Sequence, residues 1–548
     1  MTKRIIGAGI GHCVHVAGVL NFLRLAEACG YQCAFLGTGL GFSDLIGVLH
    51  EDDPTYLALS YRLTPEVAVK LFRDLKNALA EAGLLHKKLL FGGTPPVAKV
   101  AKESGLFFRV FSGEEDEREI VAFLKGEEAA REERDYGNTL LERIEKNRPY
   151  PIIRHHFGLP TLEDTLAGIR RLAAAEVLDV ISIGPDQNAQ ESFFRPQEMD
   201  PAQDGAGGVP VRTEADLRAI YEASRTGNHP LLRIYSGTRD LLDWARVAAR
   251  TINNAWAAIP LFWYSRLDGR SDRPLAEAIR ENQAAMAWYA GQGIPVEVNE
   301  AHHWSLRGGP DSVAVAAFYL AAYNAKQAGV KDYVAQIMLN NPPGVSGVMD
   351  LGKALAGLEM AEHLVGPDFR IHREIRAGLA SLSVKPYVAK GQLAASTILG
   401  LALKPEIVHV VSFCEADHAA TPEDIIESCG IVQGVFKNAL FDFADLCRDP
   451  QVLTRKEELI EEAEFLLQSL AQLGEERAAD PFTDPEVLAS AVRSGLLDAP
   501  QLKGNPEGKG WIKTGIVQGA CRILAADGKR VLSERERIRE LRSGSSSK

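Results

Sequence analysis

The chain has 548 residues, a net charge of −12, 46% hydrophobic residues and 24% charged ones. This length predicts two or three domains with room for a large core, and the composition is that of an ordinary globular protein. The acidic balance argues against nucleic acid or an anionic membrane surface as the main partner. No apolar run reaches spanning length and the first strand starts at once, so a cytoplasmic protein without a leader is expected. Cys13, Cys29, Cys33, Cys414, Cys429, Cys447 and Cys521 are scattered without a C-x-x-C pair. They read as reduced thiols rather than disulfides or a zinc or iron–sulfur centre.

Taken in order, residues 1–126 alternate strand and helix, with strands predicted at 4–10, 32–36, 56–60, 88–91 and 107–111 and a helix at 65–82. That is a doubly wound parallel sheet, which binds ligands at the carboxyl ends of its strands. The turn Gly11-His12-Cys13-Val14-His15-Val16-Ala17-Gly18 lies at such an end and presents a histidine. Residues 127–149 are strongly charged and read as a helical, solvated linker. From 150 to 455, eight strand–helix units suggest a (β/α)8 TIM barrel, and a C-terminal extension, 456–548, is expected to pack on it.

Polar residues follow the barrel's apolar runs: Arg154-His155-His156, Asp186-Gln187-Asn188, Arg233, Asn253-Asn254, Glu300, His302-His303, Asn340-Asn341 and Glu415. Catalytic residues of a barrel collect at these strand ends. Neighbours on a strand point to opposite faces, so each histidine doublet offers one ring inward. Such a ring suits substrate hydrogen bonding or proton transfer better than a metal site. No lysine stands in a Schiff-base context.

Cys13-x-His15-x-x-Gly18, Ser60-Tyr61-Arg62-Leu63-Thr64 and Leu90-Phe91-Gly92-Gly93-Thr94 occur in that order. Together they resemble the cobalamin-binding signature D-x-H-x-x-G, S-x-L, G-G of the flavodoxin-like corrinoid domain. The resemblance implies that His15 is the lower axial cobalt ligand and that Gly18 opens room for the cofactor's nucleotide tail. It further implies that Ser60 hydrogen-bonds that tail, that Leu63 contacts the cofactor, and that Gly92-Gly93 let the backbone come close. Cys13 replaces the family's Asp, and Arg62 its Leu; a thiol is a weaker orienting partner for a ligating histidine than a carboxylate.

Nearly the whole chain is similar to the adenosylcobalamin-dependent glutamate mutase (methylaspartate mutase) family, with the small cobalamin subunit and the large barrel subunit fused. Further matching pieces are Arg233-Ile234-Tyr235-Ser236-Gly237, the run from Val410 to Asn438, and Gly495 to Pro500. The resemblance implies that Glu415 binds the adenosyl ribose and that Arg233 is one of three arginines clamping a dicarboxylate. The other two map near His156 and Gln190, and the family's amino-binding glutamate maps to Asn254. Losing two clamps leaves a carboxylate unpaired, so the expected substrate is a small carboxylate other than glutamate, held by Arg233. Phe262, Trp263 and Tyr264 are expected to line the vacated space.

The expectation is therefore an adenosylcobalamin-dependent radical isomerase, a carbon-skeleton mutase, working as a homodimer. A corrinoid-dependent methyltransferase and a non-catalytic cobalamin sensor are the alternatives. The methyltransferase would carry a helical cap ahead of the signature, and only twelve residues precede Cys13.

Overall fold

The computed structural model describes residues 3–113, 115, 117–126, 135–439, 444–475 and 480–544. The chain forms two compact units that meet in sequence between Asp135 and Tyr136. Among the described residues no helix is long and apolar enough to cross a membrane.

The first unit is a parallel sheet of β1 (Arg4–Gly9), β2 (Gln32–Phe35), β3 (Tyr56–Ser60), β4 (Leu89–Gly92) and β5 (Arg109–Phe111), in the order β2-β1-β3-β4-β5. Helices connect the strands. The helix Pro65–Glu81 starts with proline at its first position and buries Ala68, Phe72, Leu75 and Leu79, one face at helical spacing. Phe72 meets Phe91 and Phe107 edge-on, at 5.0 and 5.1 Å between ring centres. The strand order reverses between β1 and β3, so the crevice of this sheet opens at their carboxyl ends, beside the His15 turn.

The second unit is built on a nearly closed parallel barrel: β6 (Ile152–Phe157), β7 (Val180–Ile183), β8 (Leu231–Ile234), β9 (Ala257–Ile259), β10 (Val296–Val298), β11 (Asp332–Leu339), β12 (Arg370–Ala377) and β13 (Ile407–His409). A single parallel bridge, Tyr235 to Ala258, joins β8 and β9 where the sheet would otherwise be open. Closing tilted strands staggers neighbours, so inward side chains at one height come from alternate strands. Pairing runs Arg376–His409–Arg154–Val180 and His156–Ser182–Arg233, which sorts the interior into four layers.

Lowest, at the amino ends, lie Val180, Trp256, Val334 and Ile407. Above them come Arg154, Arg233, Glu297 and Glu374, then Ser182, Ala258, Gln336 and His409. The uppermost layer, at the carboxyl ends, is His156, Tyr235, Asn299 and Arg376.

The expected solvated linker is corrected over its second half; residues 127–134 lie outside the described ones. Thr139 caps the helix Leu140–Asn147 through a capping box with Glu142. That helix buries Leu140 and Ile144 against the lowest barrel layer, in one apolar cluster. Arg143 Nη2 donates to the carbonyl of His229, and Nη1 lies 3.7 Å from Asp179. A charged stretch is thus the floor of the barrel.

The expected boundary at 455/456 falls inside the helix Pro450–Gly474, which packs on the helices Asp311–Gln327 and Gly347–Glu362. After it comes an antiparallel sheet of β14 (Lys513–Val517), β15 (Ala520–Leu524) and β16 (Val531–Leu532).

Candidate functional site

In the first unit the turn after β1 leaves His15 exposed and Cys13 fully buried. Cys13 Sγ stands 3.8 Å from His15 Nδ1. This contact engages Nδ1, so Nε2 is the ring atom on offer to a metal, and neutral imidazole is a good ligand for one. A Cβ added at Gly18 or Gly92 would meet nothing within 4 Å, whereas one at Gly93 would stand 2.6 Å from the carbonyl oxygen of Tyr61. Gly93 therefore serves packing, while Gly18 and Gly92 border open space. Ser60 is buried at the end of β3. Around it, Val14, Leu36, Leu63 and Val67 are exposed, Val14 by 70%. An available imidazole, an open glycine cradle and an apolar rim fit a bulky metal-centred ligand such as a corrinoid.

In the barrel, the charged layer is an ion-pair network. Arg154 donates to Glu374 Oε1 from Nε (2.9 Å) and Nη2 (2.6 Å), and to Ser182 Oγ from Nη1 (2.8 Å). Glu297 accepts from Trp256 Nε1 at 2.7 Å and from Gln336 Nε2 at 2.6 Å, and lies 3.3 Å from Arg233 Nη1. Burial opposes the charge of Arg154, but Glu374 and Glu297 outweigh it and hold its pKa above the ordinary value. For Arg233, burial and the Arg154 cation pull the other way and lower it.

The uppermost layer is only partly closed: His156, Tyr235 and Arg376 each keep some surface open. His156 Nε2 shares a hydrogen bond of 2.9 Å with the Tyr235 hydroxyl, and the two rings stack at 5.1 Å. Burial, together with Arg154, Arg233 and Arg376, holds His156 well below the usual imidazole range, so it is neutral. His302 and His409 are held neutral the same way, by burial and neighbouring guanidiniums. Arg376 has no hydrogen bond or ion pair among the described residues, and its Nε is buried. His156 Nδ1, Asn299 Oδ1, Gln336 Oε1 and Glu374 Oε2 are likewise buried without a hydrogen-bond partner. Buried polar atoms are normally satisfied, so this group in the charged and upper layers of the barrel marks a candidate binding site.

The loop after β9 is held by Glu300, whose carboxylate accepts from Leu261 N (2.9 Å), Phe262 N (3.2 Å) and Trp304 Nε1 (2.8 Å). Burial nevertheless pushes its pKa up to about 8. Asp240, Tyr264 and Asn340, each in a loop after a barrel strand, have φ of 55°, 60° and 58°. Left-handed backbone at non-glycine residues is strained and gathers at functional sites.

The sequence-expected residues divide. His156 stands in the uppermost layer. Arg233 does not: it lies in the charged layer below, paired with Glu297, and the cation facing the mouth is Arg376. Asn254 precedes β9, and its Oδ1 accepts from Ile234 N at 3.2 Å, so it fills the seam between β8 and β9. Gln190 is tied through its side chain to the Pro185 carbonyl at 2.8 Å, and its own carbonyl accepts from Thr238 N.

Glu415 is on the rim, 3.2 Å from His155 Nε2, with Oε1 accepting from Ser412 N at 3.0 Å. Burial raises its carboxyl, but the His155 contact prevails and the net shift is downward. Phe262 and Trp263 are fully buried against Trp304, as core rather than lining. His302 and His303 lie on the helix Ala301–Leu306, so strand alternation does not govern them, and their rings meet at 4.4 Å.

Cys414, His418 and Asp424 place their ligating atoms within 4.8 Å of one another. Asp424, however, is engaged by Thr421 N and Oγ1 as a helix cap, and burial pushes the Cys414 thiol up to about 12.

Arg376, Asn299 and Tyr235 were not singled out from the sequence. The signal was available in β12, where His372, Glu374 and Arg376 recur at period two.

No family model matches this chain, and no curated protein matches it. Among solved structures, one similar chain is a novel cobalamin-binding protein from Desulfitobacterium hafniense DCB-2, at 25% identity and a TM-score of 0.18. The match covers 20% of this chain and 52% of that one, so it spans about half that protein's length. Another is the cobalamin-dependent S-adenosylmethionine radical enzyme OxsB with aqua-cobalamin bound, at 10% identity and a TM-score of 0.18, covering 89% of this chain and 70% of that one. Its apo, selenomethionine-labelled form gives 11% identity and a TM-score of 0.17 over the same shares. At such TM-scores these likenesses carry no argument, and the functional reading rests on the chain's own residues.

Proposed function

We propose that this chain is a cobalamin-dependent enzyme: a flavodoxin-like cobalamin domain joined to a TIM barrel that isomerises a small carboxylate by radical chemistry. The observation that carries the reading is the exposed His15 set between the open space at Gly18 and Gly92. His15 would hold the cobalt through Nε2 with Cys13 behind Nδ1. Ser60 would hydrogen-bond the nucleotide tail, and Leu63 with the other exposed apolar residues would cover corrin surface. Bound adenosylcobalamin supplies a carbon radical by homolysis of its cobalt–carbon bond.

The chain's own part is placement and protection. The barrel floor excludes water from below, which matters where reactive species are formed. Neutral His156, engaged with Tyr235 through Nε2, would make a hydrogen bond to a ligand at Nδ1 without bringing a charge into the barrel mouth. Glu415, with Oε1 committed to Ser412, would offer Oε2 to a ribose hydroxyl. The same reading includes a cytoplasmic homodimer, which sedimentation of the purified protein checks.

The test is an anaerobic titration in the dark with adenosylcobalamin and, separately, methylcobalamin, repeated on His15→Ala. Tight binding of the adenosyl form, with a base-off spectrum that His15→Ala loses, supports the proposal. Preference for the methyl form would replace it with a methyltransferase, and failure of both to bind would overturn it.

A further inference from the structure

We infer that the barrel mouth takes a small monocarboxylate that also carries one hydrogen-bond donor, a hydroxyl or an amine, with the carboxylate on Arg376 and the donor directed to Asn299 Oδ1 or Gln336 Oε1. This depends on the proposed function only in calling the ligand a substrate; the binding itself rests on the barrel alone.

The first argument is charge. The interior holds three guanidiniums, Arg154, Arg233 and Arg376, against two carboxylates, Glu297 and Glu374. The lower four are matched, Arg154 with Glu374 at 2.6 Å and Arg233 with Glu297 at 3.3 Å. Arg376 is left over, and the surrounding histidines His156, His302 and His409 are neutral, so they neither cancel nor enlarge its charge. Glu415 is held by His155 and Ser412; its charge also acts on that of Arg376, with no hydrogen bond or ion pair between the two. A half-buried guanidinium without a bonded partner fits a carboxylate in a forked, two-bond geometry. It offers a seat for one such anion.

The second argument is a group of unsatisfied acceptors, which stand beside the unsatisfied donors Arg233 Nε and Nη1 of the charged layer. Asn299 is 5% exposed and Gln336 6%, and each has a buried carbonyl oxygen with no donor. Glu374 Oε2 adds a third acceptor beneath them. Acceptors of this kind are satisfied by a ligand hydroxyl or amine, and a site built to bond such a group rejects analogues that lack it. A second carboxylate placed against these oxygens would be repelled by them, which disfavours dicarboxylates and a phosphate dianion.

Calorimetric titration of the full-length protein without cobalamin tests this, using four probes: butyrate, 3-hydroxybutyrate, 3-aminobutyrate and succinate. The first three differ in the donor, with the amino acid also bringing a positive charge that the hydroxy acid lacks, and the fourth adds a carboxylate. Binding of the hydroxy or amino acid at least tenfold tighter than butyrate, and tighter than succinate, is expected. Arg376→Gln should weaken that binding at least thirtyfold, with Arg376→Lys in between because it keeps the charge and loses the fork.

Circular dichroism confirms that both variants are folded, and an unchanged cobalamin titration of each shows that the first unit is untouched. Tighter binding of succinate, equal binding of butyrate, indifference to Arg376→Gln, or no binding of any probe each overturns the inference. Should it fall while His15-dependent cobalamin binding holds, the proposed function stands and only the substrate class is lost. The converse result leaves an anion-binding barrel without the cofactor.

Discussion

The two candidate sites of this molecule use opposite physical means. The first unit presents its imidazole in solvent, beside glycines that border open space and near exposed apolar side chains. The barrel buries four charged side chains below a half-buried fifth, Arg376, and sets its neutral imidazoles among guanidiniums, where electrostatic interactions are strong and unpaired groups are expensive. A surface site of the first kind can lose its ligating residue with little harm to the fold. A chamber of the second kind cannot lose a charge without unbalancing the structure that surrounds it.

The largest effect should therefore come from the charged layer. Arg154→Met leaves Glu374 buried without its main partner, and a loss of about 3–5 kcal/mol in unfolding free energy is expected by urea denaturation. The paired change Arg154→Met with Glu374→Leu should recover much of it; a double variant no better than the single would break the contrast drawn above.

Gly93→Ala comes next, at about 1–3 kcal/mol, because its Cβ would stand 2.6 Å from backbone. For Glu300 the effect depends on pH. Its folded pKa, about 8, lies above the ordinary 4.5. Its contribution is thus fully present below about pH 4.5 and is lost as pH rises through 8. The Tm of the native protein should fall across that window more steeply than that of Glu300→Gln.

The smallest change in stability is expected at Gly18→Ala, within about 1 kcal/mol and in the stabilising direction, since alanine favours the helix Ala17–Ala28. Its methyl group enters the open space, so the same variant should bind cobalamin more weakly. An unaltered affinity would place the cofactor elsewhere.

How much of this was legible in the sequence follows from where the determinants lie. The His15 turn is eight consecutive residues, and the strands flanking it alternate with amphipathic helices, so both the sheet and its ligand-facing edge could be read locally. The barrel strands were legible as apolar runs, with one instructive exception. In β12 the alternation Arg370, His372, Glu374, Arg376 carries too much charge to read as a buried strand. Glu374 is tolerated inside because its partner, Arg154, comes from a strand far away in sequence, while Arg370 and His372 pair with Asp332 outside the interior.

The same distance hid the demotion of Arg233, which depends on Glu297, and the isolation of Arg376, which depends on every neighbour being occupied. The helix Leu140–Asn147 was misread because its polar residues dominate a short stretch, while its buried face is only Leu140, Arg143 and Ile144. The C-terminal strands β14–β16 are short and follow glycine-rich sequence, and no periodicity announced them.

That short helix has a kinetic consequence. With Leu140 and Ile144 packed under the lowest layer, the amino end of the barrel is stopped, and a molecule that enters at the carboxyl end must back out the way it came. Under the proposed function, product and substrate would then contend for one doorway and one guanidinium. Turnover would be throttled by departure as much as by arrival, and the product would act as an inhibitor that more substrate displaces.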